Sequence, residues 1–378
     1  MNETHAASPR ADRPLRSGPE PVRLAWAAHH GLVGLSLVNF VLRVLTIGVY
    51  HFWGKTEVRR RIWSAIRING EPLAYTGTGL ELFLGFLLVF AAVVLPVILL
   101  SFAAVLAFGP GSPWLIAYQL FVYAAFFFLF GVAIHRAQRY RLARTRWRGI
   151  RSGLEGSSWR YGWTHFWTGL LILLTLGWIV PWRSTRLQSL ITNGMRFGDR
   201  PFRFSASSAV LYPRFAVLWI AGLCILLASF TMIGSATAFM LRAEDFHPDR
   251  PPDISRMTAL LALIYATLLA GLLVYGVFSA WYRAGMLNHF AAHTAFEGAT
   301  FKGSATAASL MWLTLSNYLL VLLTLGILAP LAQARSARYL IEHIALVGDV
   351  PLAEIAQREE DSLRRGEGLA QAFDIDAF

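Results

Sequence analysis

Four long apolar stretches constrain the fold of this chain more than any other feature. They are residues 82–108, 114–134, 210–241 and 258–281. Each reaches or exceeds the roughly 20 residues that an α-helix needs to cross about 30 Å of hydrocarbon. Inside hydrocarbon every backbone N–H and C=O group needs a partner within the protein, so these stretches are expected to be helices. The chain is therefore expected to be an all-α polytopic membrane protein.

The composition agrees with a membrane location. Hydrophobic residues make up 56% of the 378 residues and charged residues 15%, which would leave a soluble protein with much apolar surface in water. The net charge of +12 would suggest a nucleic-acid partner for a soluble protein. Here the basic residues flank apolar stretches, where membrane orientation and anionic headgroups explain them. The expected partners are membrane lipids, anionic ones above all, and no nucleic acid, while the oligomeric state stays open.

A short frame of residues recurs three times between these stretches. Its centre is a Thr followed by Leu or Ile and then by Gly. An Asn or a second Thr stands seven residues before that central Thr. The copies are Asn39, Thr46 and Gly48; Thr168, Thr175 and Gly177; and Asn317, Thr324 and Gly326. Arginines come after each copy, and a further glycine with an acidic residue next to it comes after them. The chain is therefore expected to contain tandem repeats, and the Thr and Gly of each copy are expected to break a helix.

These three segments either cross the membrane, which makes seven spans, or dip into it and return. With seven spans the basic residues divide 21 inside to 11 outside, whereas with four spans they divide 29 to 3, which fits the positive-inside rule better. Pro181 and Pro330 come after the second and third glycine and add helix breakers. Broken helices at membrane depth are typical of re-entrant segments. Ordinary spans that use Gly for close packing are the alternative.

The stretches and repeats divide the chain into six parts. A disordered cytoplasmic leader (1–23) precedes repeat unit 1 (24–134), a basic cytoplasmic loop (135–163), repeat unit 2 (164–282), a third partial repeat (283–353) and an acidic cytoplasmic tail (354–378). The leader lacks the apolar core of a signal peptide, so it is expected to remain attached. The four-span count of basic residues predicts that the N-terminus is cytoplasmic. An aromatic residue with small residues after it, at 75–79, 204–207 and 301–305, predicts short extended stretches at the membrane surface.

The 135–163 loop is the most basic part of the chain. It contains many arginines and a single acidic residue, Glu155. The phosphate groups of anionic lipid are the expected contacts of these arginines. The arginines assigned to this role are Arg136, Arg139, Arg141, Arg144, Arg146 and Arg148. The alternative is that they determine the topology without recognising lipid.

A set of polar residues within or beside hydrophobic segments forms a hypothetical substrate pathway. The set consists of Asn39, Arg43, Thr46, Glu81, Asn317 and Thr324. A guanidinium without a partner at the bilayer centre costs at least about 2.5 kcal/mol. We therefore expect a bidentate bond between Arg43 and Glu81, the acid at the edge of a hydrophobic segment. The alternative is that Arg43 extends to a lipid phosphate.

The first copy of the frame, together with residues 49–83, resembles a known family. The aromatic-rich stretch ending in Trp53, the arginine cluster and the motif Gly-Glu-Pro-Leu-Ala-Tyr-Thr-Gly-Thr-Gly-Leu-Glu-Leu-Phe at residues 70–83 resemble the YjgN-like family of bacterial inner-membrane proteins. The resemblance covers about residues 24–356. This chain departs from the pattern at His51 and Glu57, which interrupt the basic run, and at Thr168, which replaces Asn. The resemblance implies a multi-pass protein of the bacterial cytoplasmic membrane and, because the family has no known function, no substrate.

The sequence carries no motif of catalysis that we recognise, such as a Gly-rich phosphate loop, a His-Glu-x-x-His helix or a Gly-x-Ser-x-Gly elbow. His289, His293 and Glu297 share a helical face, but the polar face of a helix explains them better than a metal site. We therefore expect no enzyme, no metal and no cofactor. A transporter or channel-like protein for a small solute or lipid is favoured by the repeats and broken helices. The alternative is a non-transporting membrane scaffold or lipid-interacting protein, favoured by the few charges in the four stretches.

Overall fold

The computed structural model describes residues 20–27, 31–240 and 254–357. This part of the chain does not include residues 1–19 of the predicted leader or residues 358–378 of the predicted acidic tail. Residues 28–30 and 241–253 lie outside it as well. The two described ends meet, because β1 (Glu20–Pro21) pairs antiparallel with β13 (Asp349–Val350).

Four helices are long and apolar enough to cross a membrane, which confirms the expectation from the four apolar stretches. In the first pair, α3 (Gly79–Val89) continues through a π-helical turn (Phe90–Val94) into α4 (Leu95–Phe108), and α5 (Pro113–Ala143) packs against α4. In the second pair, α8 (Tyr212–Met240) packs against α9 (Ile254–Ala292). Many of their outward side chains are large, apolar and exposed, as lipid-facing side chains are. The chain is a helical membrane protein with four candidate spans.

The three segments with the repeated frame fold as helical hairpins. Hairpin 1 consists of α1 (Leu32–Leu45) and α2 (His51–Ala65), hairpin 2 of α6 (Ser158–Leu174) and α7 (Val180–Thr192), and hairpin 3 of α10 (Ala307–Leu323) and α11 (Ala329–His343). The first arms have 14, 17 and 17 residues. At 1.5 Å per residue they are about 21 to 26 Å long. The four candidate spans have 30 to 36 residues and are longer.

Short antiparallel strands join the helix pairs, which corrects the all-α expectation. Eight of them form one sheet in the order β12-β11-β10-β9-β8-β7-β6-β5, and β2, β3 and β4 form a second. Runs of two to five residues are too short for their alternation to be recognised in a sequence. The strands of the two sheets are β2 (Leu24–Trp26), β3 (Ile66–Ile68), β4 (Glu71–Pro72), β5 (Ala74–Tyr75), β6 (Thr145–Trp147), β7 (Ile150–Leu154), β8 (Met195–Phe197), β9 (Arg200–Phe204), β10 (Thr294–Phe296), β11 (Ala299–Gly303) and β12 (Ile344–Val347).

The strands enclose a small core of their own. Leu73 is the single residue between β4 and β5, and β12 lies beside β2, so the two sheets continue one another around this core. Its buried residues are Trp147, Phe296 and Ala299 from the sheet and Val350, Leu352 and Ile355 from the C-terminal segment. The first residues of the predicted tail thus belong to the folded structure.

The large sheet holds both ends of each helix pair that it connects. The two strands that flank one helix pair are neighbours in this sheet. These neighbours are β5 and β6 for the first long pair, β7 and β8 for hairpin 2, β9 and β10 for the second long pair, and β11 and β12 for hairpin 3. Hairpin 1 likewise lies between β2 and β3, which pair with each other. Both arms of each hairpin therefore end at the sheets, and its turn points away from them.

Candidate functional site

The turn of each hairpin has the same backbone geometry. In hairpin 1, Ile47 and Gly48 both have positive φ angles, of 51° and 88°. The N–H of Gly48 donates to the carbonyl of Arg43 (2.7 Å) and the N–H of Ile47 to that of Val44 (3.2 Å), the two bonds of a Schellman motif. Glycine adopts such φ angles without steric cost, which explains the Gly of the frame. The same conformations recur at Leu176 and Gly177 and at Leu325 and Gly326.

The threonine of the frame joins the end of one arm to the start of the next. Thr46 Oγ1 donates to the carbonyl of Leu42 (2.7 Å) and accepts from the N–H of Tyr50 (2.9 Å), the residue before α2. Thr175 and Thr324 make the equivalent two bonds. The six residues assigned to helix breaking thus all lie in the turns between arms.

Asn39 and Asn317 lie between the arms of their own hairpins. Asn39 Nδ2 donates to the carbonyl of Gly54 (3.4 Å), and Asn317 Nδ2 donates to the carbonyl of Ala332 (3.3 Å) and to Ser336 Oγ (3.2 Å). A Cβ atom at Gly54 would come within 3.1 Å of the Asn39 side chain, so the arms approach closely there. The structure therefore places each of these side chains between the arms of its own hairpin, and their part in a substrate pathway stays a prediction.

The tips of the hairpins are apolar and exposed. Ile47 is 95% exposed, Leu176 76% and Leu325 89%. The tip of hairpin 2 is bound to α8, because Trp219 Nε1 donates to the carbonyl of Leu176 (2.8 Å) and its ring packs edge-to-face on Trp178 at 5.6 Å. Contiguous exposed apolar side chains mark a surface that meets lipid or another protein.

The tips of hairpins 1 and 3 meet and leave a cleft between them of about 480 Å³. A Cβ atom at Gly48 or Gly326 would meet nothing within 4 Å, so both turns leave space there. Arg43 is the charged residue of the lining, and the other side chains are apolar. The lining residues are Phe40, Arg43, Val44, Ile47, Gly48, Leu325 and Gly326.

Arg43 has no hydrogen bond or ion pair through its side chain within the part of the chain that the structure describes. It lies about 16 Å along α1 from Leu32, the first residue of that helix. At the centre of a bilayer a guanidinium without an anion costs at least about 2.5 kcal/mol. The guanidinium of Arg43 is therefore able to pair with an anion from another molecule in the cleft.

Glu81 does not pair with Arg43, and this expectation is wrong. The carboxylate of Glu81 forms an ion pair with Arg144 (3.1 Å) and accepts a hydrogen bond from Tyr140 Oη (3.1 Å). Glu81 lies in the first turn of α3, beside the sheet, whereas Arg43 lies in the last turn of α1, near the tip. The two residues are at opposite ends of the helices, so Glu81 stays outside the cleft.

The arginines of residues 136–148 lie where α5 meets the sheet, in a segment that was expected to be a loop. Arg144 pairs with Glu81, and Arg148 Nε donates to Glu71 (2.9 Å). The buried Nε of Arg146 has no hydrogen-bond partner. Contact of these arginines with lipid phosphate stays a prediction, although several of them are already bound within the protein. Those with further protein partners are Arg136, Arg139 and Arg141.

His289, in α9, and His293, just after it, lie together with their ring centroids 4.3 Å apart. His289 Nε2 lies 2.9 Å from the carbonyl of Ser207, whereas Glu297 accepts a bond from Arg200 Nη1 (3.2 Å). Among the described residues no group of three metal-binding side chains occurs.

Sequence reasoning missed the apolar walls of the cleft, which are Phe40, Val44 and Leu325. Leu325 lies far along the chain from the other two, so their contact arises only in the folded protein. The one signal in the sequence is that both turns are copies of the same frame, which indicates tips of the same shape.

Comparison with known proteins identifies the family of this chain. Residues 26–372 match the family described as a bacterial protein of unknown function (DUF898). The inner membrane protein YjgN of Salmonella typhimurium strain LT2 is 22% identical in an alignment of 372 positions, and the alignment covers 86% of this chain and 88% of that protein. The expected resemblance to YjgN-like proteins is thus confirmed, and no solved structure matches the chain. The chain belongs to the DUF898 family of bacterial membrane proteins of unknown function.

Proposed function

We propose that the protein is a multi-pass transporter or channel-like protein of the bacterial inner membrane that acts on a small solute or lipid. The observation that carries the proposal is the cleft between hairpins 1 and 3, in which Arg43 lies among apolar side chains. Ionisable residues at membrane depth commonly mark a pathway for a substrate or ion. The relative from Salmonella is an inner membrane protein by name, which supports the location.

The proposal treats the three hairpins as re-entrant segments. Their first arms, of about 21 to 26 Å, are shorter than the roughly 30 Å of hydrocarbon. The sheets carry exposed basic side chains, such as Arg67, Arg203 and Lys302, which favour the cytoplasmic side. Seven hydrophobic segments in tandem repeats, four spanning and three re-entrant, then share one cytoplasmic strand assembly, with the N-terminus on the same side.

The interface between hairpins 1 and 3 is the place where this arrangement can open. Re-entrant and broken helices are the elements on which many transporters build their sites. The tip of hairpin 2 is tied to α8 by Trp219, whereas the tips of hairpins 1 and 3 leave a cleft. These two hairpins come from opposite ends of the chain and contact each other through α11, α1 and α2.

A non-transporting scaffold or lipid-interacting protein is the second candidate function. The observation that favours it is the apolar packing between the long helices, for example of Val89 on Val132 and Ala133. A scaffold needs such fixed contacts and no change of shape at the cleft.

Reconstitution into liposomes separates the two functions. We expect the protein to accelerate either the transbilayer movement of a fluorescent lipid or the release of an entrapped small anion, compared with protein-free vesicles. Cross-linking Ile47→Cys to Leu325→Cys with a bis-maleimide, in a Cys224→Ser background, should stop this flux because both residues line the cleft. Each single cysteine variant serves as the control. If neither probe moves faster with the protein, the scaffold is the better account.

A further inference from the structure

We infer that the cleft between hairpins 1 and 3 binds the phosphate group of a phospholipid through Arg43. This inference names the substrate class of the proposed function, and it rests on the placement of the hairpins within the bilayer. Two observations support it: the charge in the cleft and the apolar walls.

The charge of Arg43 has no role in forming the hairpin. The equivalent positions, three residues before the Thr of the frame, hold Ile172 in hairpin 2 and Val321 in hairpin 3, and all three turns have the same geometry. The side chain of Arg43 also has no bond within the described residues. A guanidinium offers a planar fork of donors that matches the oxygens of a phosphate. Arg43 is therefore placed to bind an anion and not to hold the turn.

The walls of the cleft select an anion that carries apolar groups. Phe40 is 43% exposed, Val44 61% and Ile47 95%, and Leu325 faces them from hairpin 3. An inorganic phosphate would bring nothing to cover these side chains. The acyl chains of a phospholipid can lie against them while its phosphate meets the guanidinium, so one ligand matches both the apolar walls and the charge.

The space in the cleft suits a headgroup. The cleft has a volume of about 480 Å³ and is an open groove, because Ile47 and Leu325 in its lining are almost fully exposed. Gly48 and Gly326 border this space without side chains, so a phosphate can approach the backbone of both turns.

Lipid binding in detergent tests the inference. Lipid-stripped protein in an uncharged maltoside is titrated with tail-labelled phosphatidylglycerol and with diacylglycerol that carries the same tails and no phosphate. We expect phosphatidylglycerol to bind at least about tenfold tighter, and Arg43→Val to remove this preference, since a hydrogen bond to a charged group accounts for such a factor. Arg43→Val copies the residue of hairpin 3, Arg43→Lys should retain part of the preference, and Arg203→Gln, an exposed arginine of the sheet, is the matched control. Equal binding of phosphatidylglycerol by the wild type and Arg43→Val would overturn the inference, as would its displacement by inorganic phosphate at equal concentration.

A second measurement needs no variant at all. Phosphatidylglycerol with a diazirine in its tail should cross-link to peptides that contain the turns at 46–50 and 324–328 of the wild-type protein in liposomes. Labelling confined to the long helices would overturn the inference. If binding through Arg43 is found and no lipid or solute moves in the flux assay, the inference stands and the transport function fails. If lipid moves at an unchanged rate in Arg43→Val, the transport function stands and the inference fails.

Discussion

At the residue scale, a charged side chain pairs with what its position along the helix brings near. Glu81 and Arg144 both lie where the first long pair meets the sheet, and their 3.1 Å contact is supported by the hydroxyl of Tyr140. Arg43 lies at the far end of α1 and cannot reach them. Sequence distance and charge indicated a partner for Glu81, but they did not identify which arginine it is.

A double-mutant cycle checks this assignment. We expect Glu81→Gln and Arg144→Gln to show a coupling of about 0.5–1 kcal/mol in the free energy of unfolding in detergent, because the carboxylate is 40% exposed and solvent screens the pair. Glu81→Gln combined with Arg43→Gln is the control, and the effects of that pair should add. A coupling to Arg43 as large as that to Arg144 would contradict the structure.

The threonine bridges also belong to the residue scale. Thr324→Val removes the hydroxyl that accepts from the N–H of Leu328 and donates to the carbonyl of Leu320. We expect the free energy of unfolding to fall by about 1–2 kcal/mol, because an N–H group at the start of the second arm loses its partner. Thr314→Val in the same helix is the matched control, since that hydroxyl only donates to the carbonyl of Leu310. Thermal unfolding of both variants in detergent measures the difference, and equal losses would show that the bridge adds nothing.

At the element scale, the hairpin turn depends on two consecutive residues with positive φ. Gly48→Ala should lower the free energy of unfolding by about 1–2 kcal/mol, because an L-residue with a Cβ is strained at a φ of 88°. Gly34→Ala, in the same hairpin, should raise it by up to about 1 kcal/mol, because a helical Gly with nothing around its Cβ position gains helix propensity as Ala. Chemical denaturation of the two variants gives opposite signs if the turn is formed as described. A loss of the same size in both would contradict the assigned turn.

At the scale of the whole molecule, the strands of the two sheets connect the ends of all the helix pairs. This determines which loops lie at the same end of the molecule. Ser64 in α2 and Ser189 in α7 both lie near the sheet ends of their hairpins, whereas Ser112 precedes α5 at the opposite end of the first long pair. Both hairpins are connected to paired strands, so Ser64 and Ser189 lie at the sheet ends of their hairpins, and the proposed re-entrant arrangement predicts that they share one side of the membrane.

Cysteine labelling tests this topology. Single cysteines at Ser64, Ser189 and Ser112 are introduced into a Cys224→Ser background and treated with an impermeant thiol reagent in intact cells. We expect Ser112→Cys to react, and Ser64→Cys and Ser189→Cys to react only after permeabilisation, because re-entrant hairpins leave both on the cytoplasmic side. Labelling of Ser189→Cys from outside while Ser64→Cys is protected would restore the seven-span inverted repeat.

The sequence by itself determined the four long helices and the positions of the three turns. Apolar stretches of 20 residues or more need internal backbone bonds in hydrocarbon, and this requirement is local. The Gly of each frame marks a position of positive φ, and the preceding Thr bonds only to residues four positions away. Such features depend on neighbours in the chain, so they can be read from it. The short strands could not be predicted from the sequence, because two to five residues are too few to show an alternation of apolar and polar side chains.

Only the tertiary structure decided that both arms of each hairpin end at the sheets, that strands enclose the C-terminal segment, and that Arg43 and Leu325 line one cleft. These arrangements bring together residues far apart in sequence, such as Glu20 and Val350. No local pattern specifies them, because each results from the packing of several helices and strands at once. The expected pairing of Arg43 with Glu81 was wrong for this reason: opposite charges indicate that two side chains attract each other, but the fold decides whether they meet.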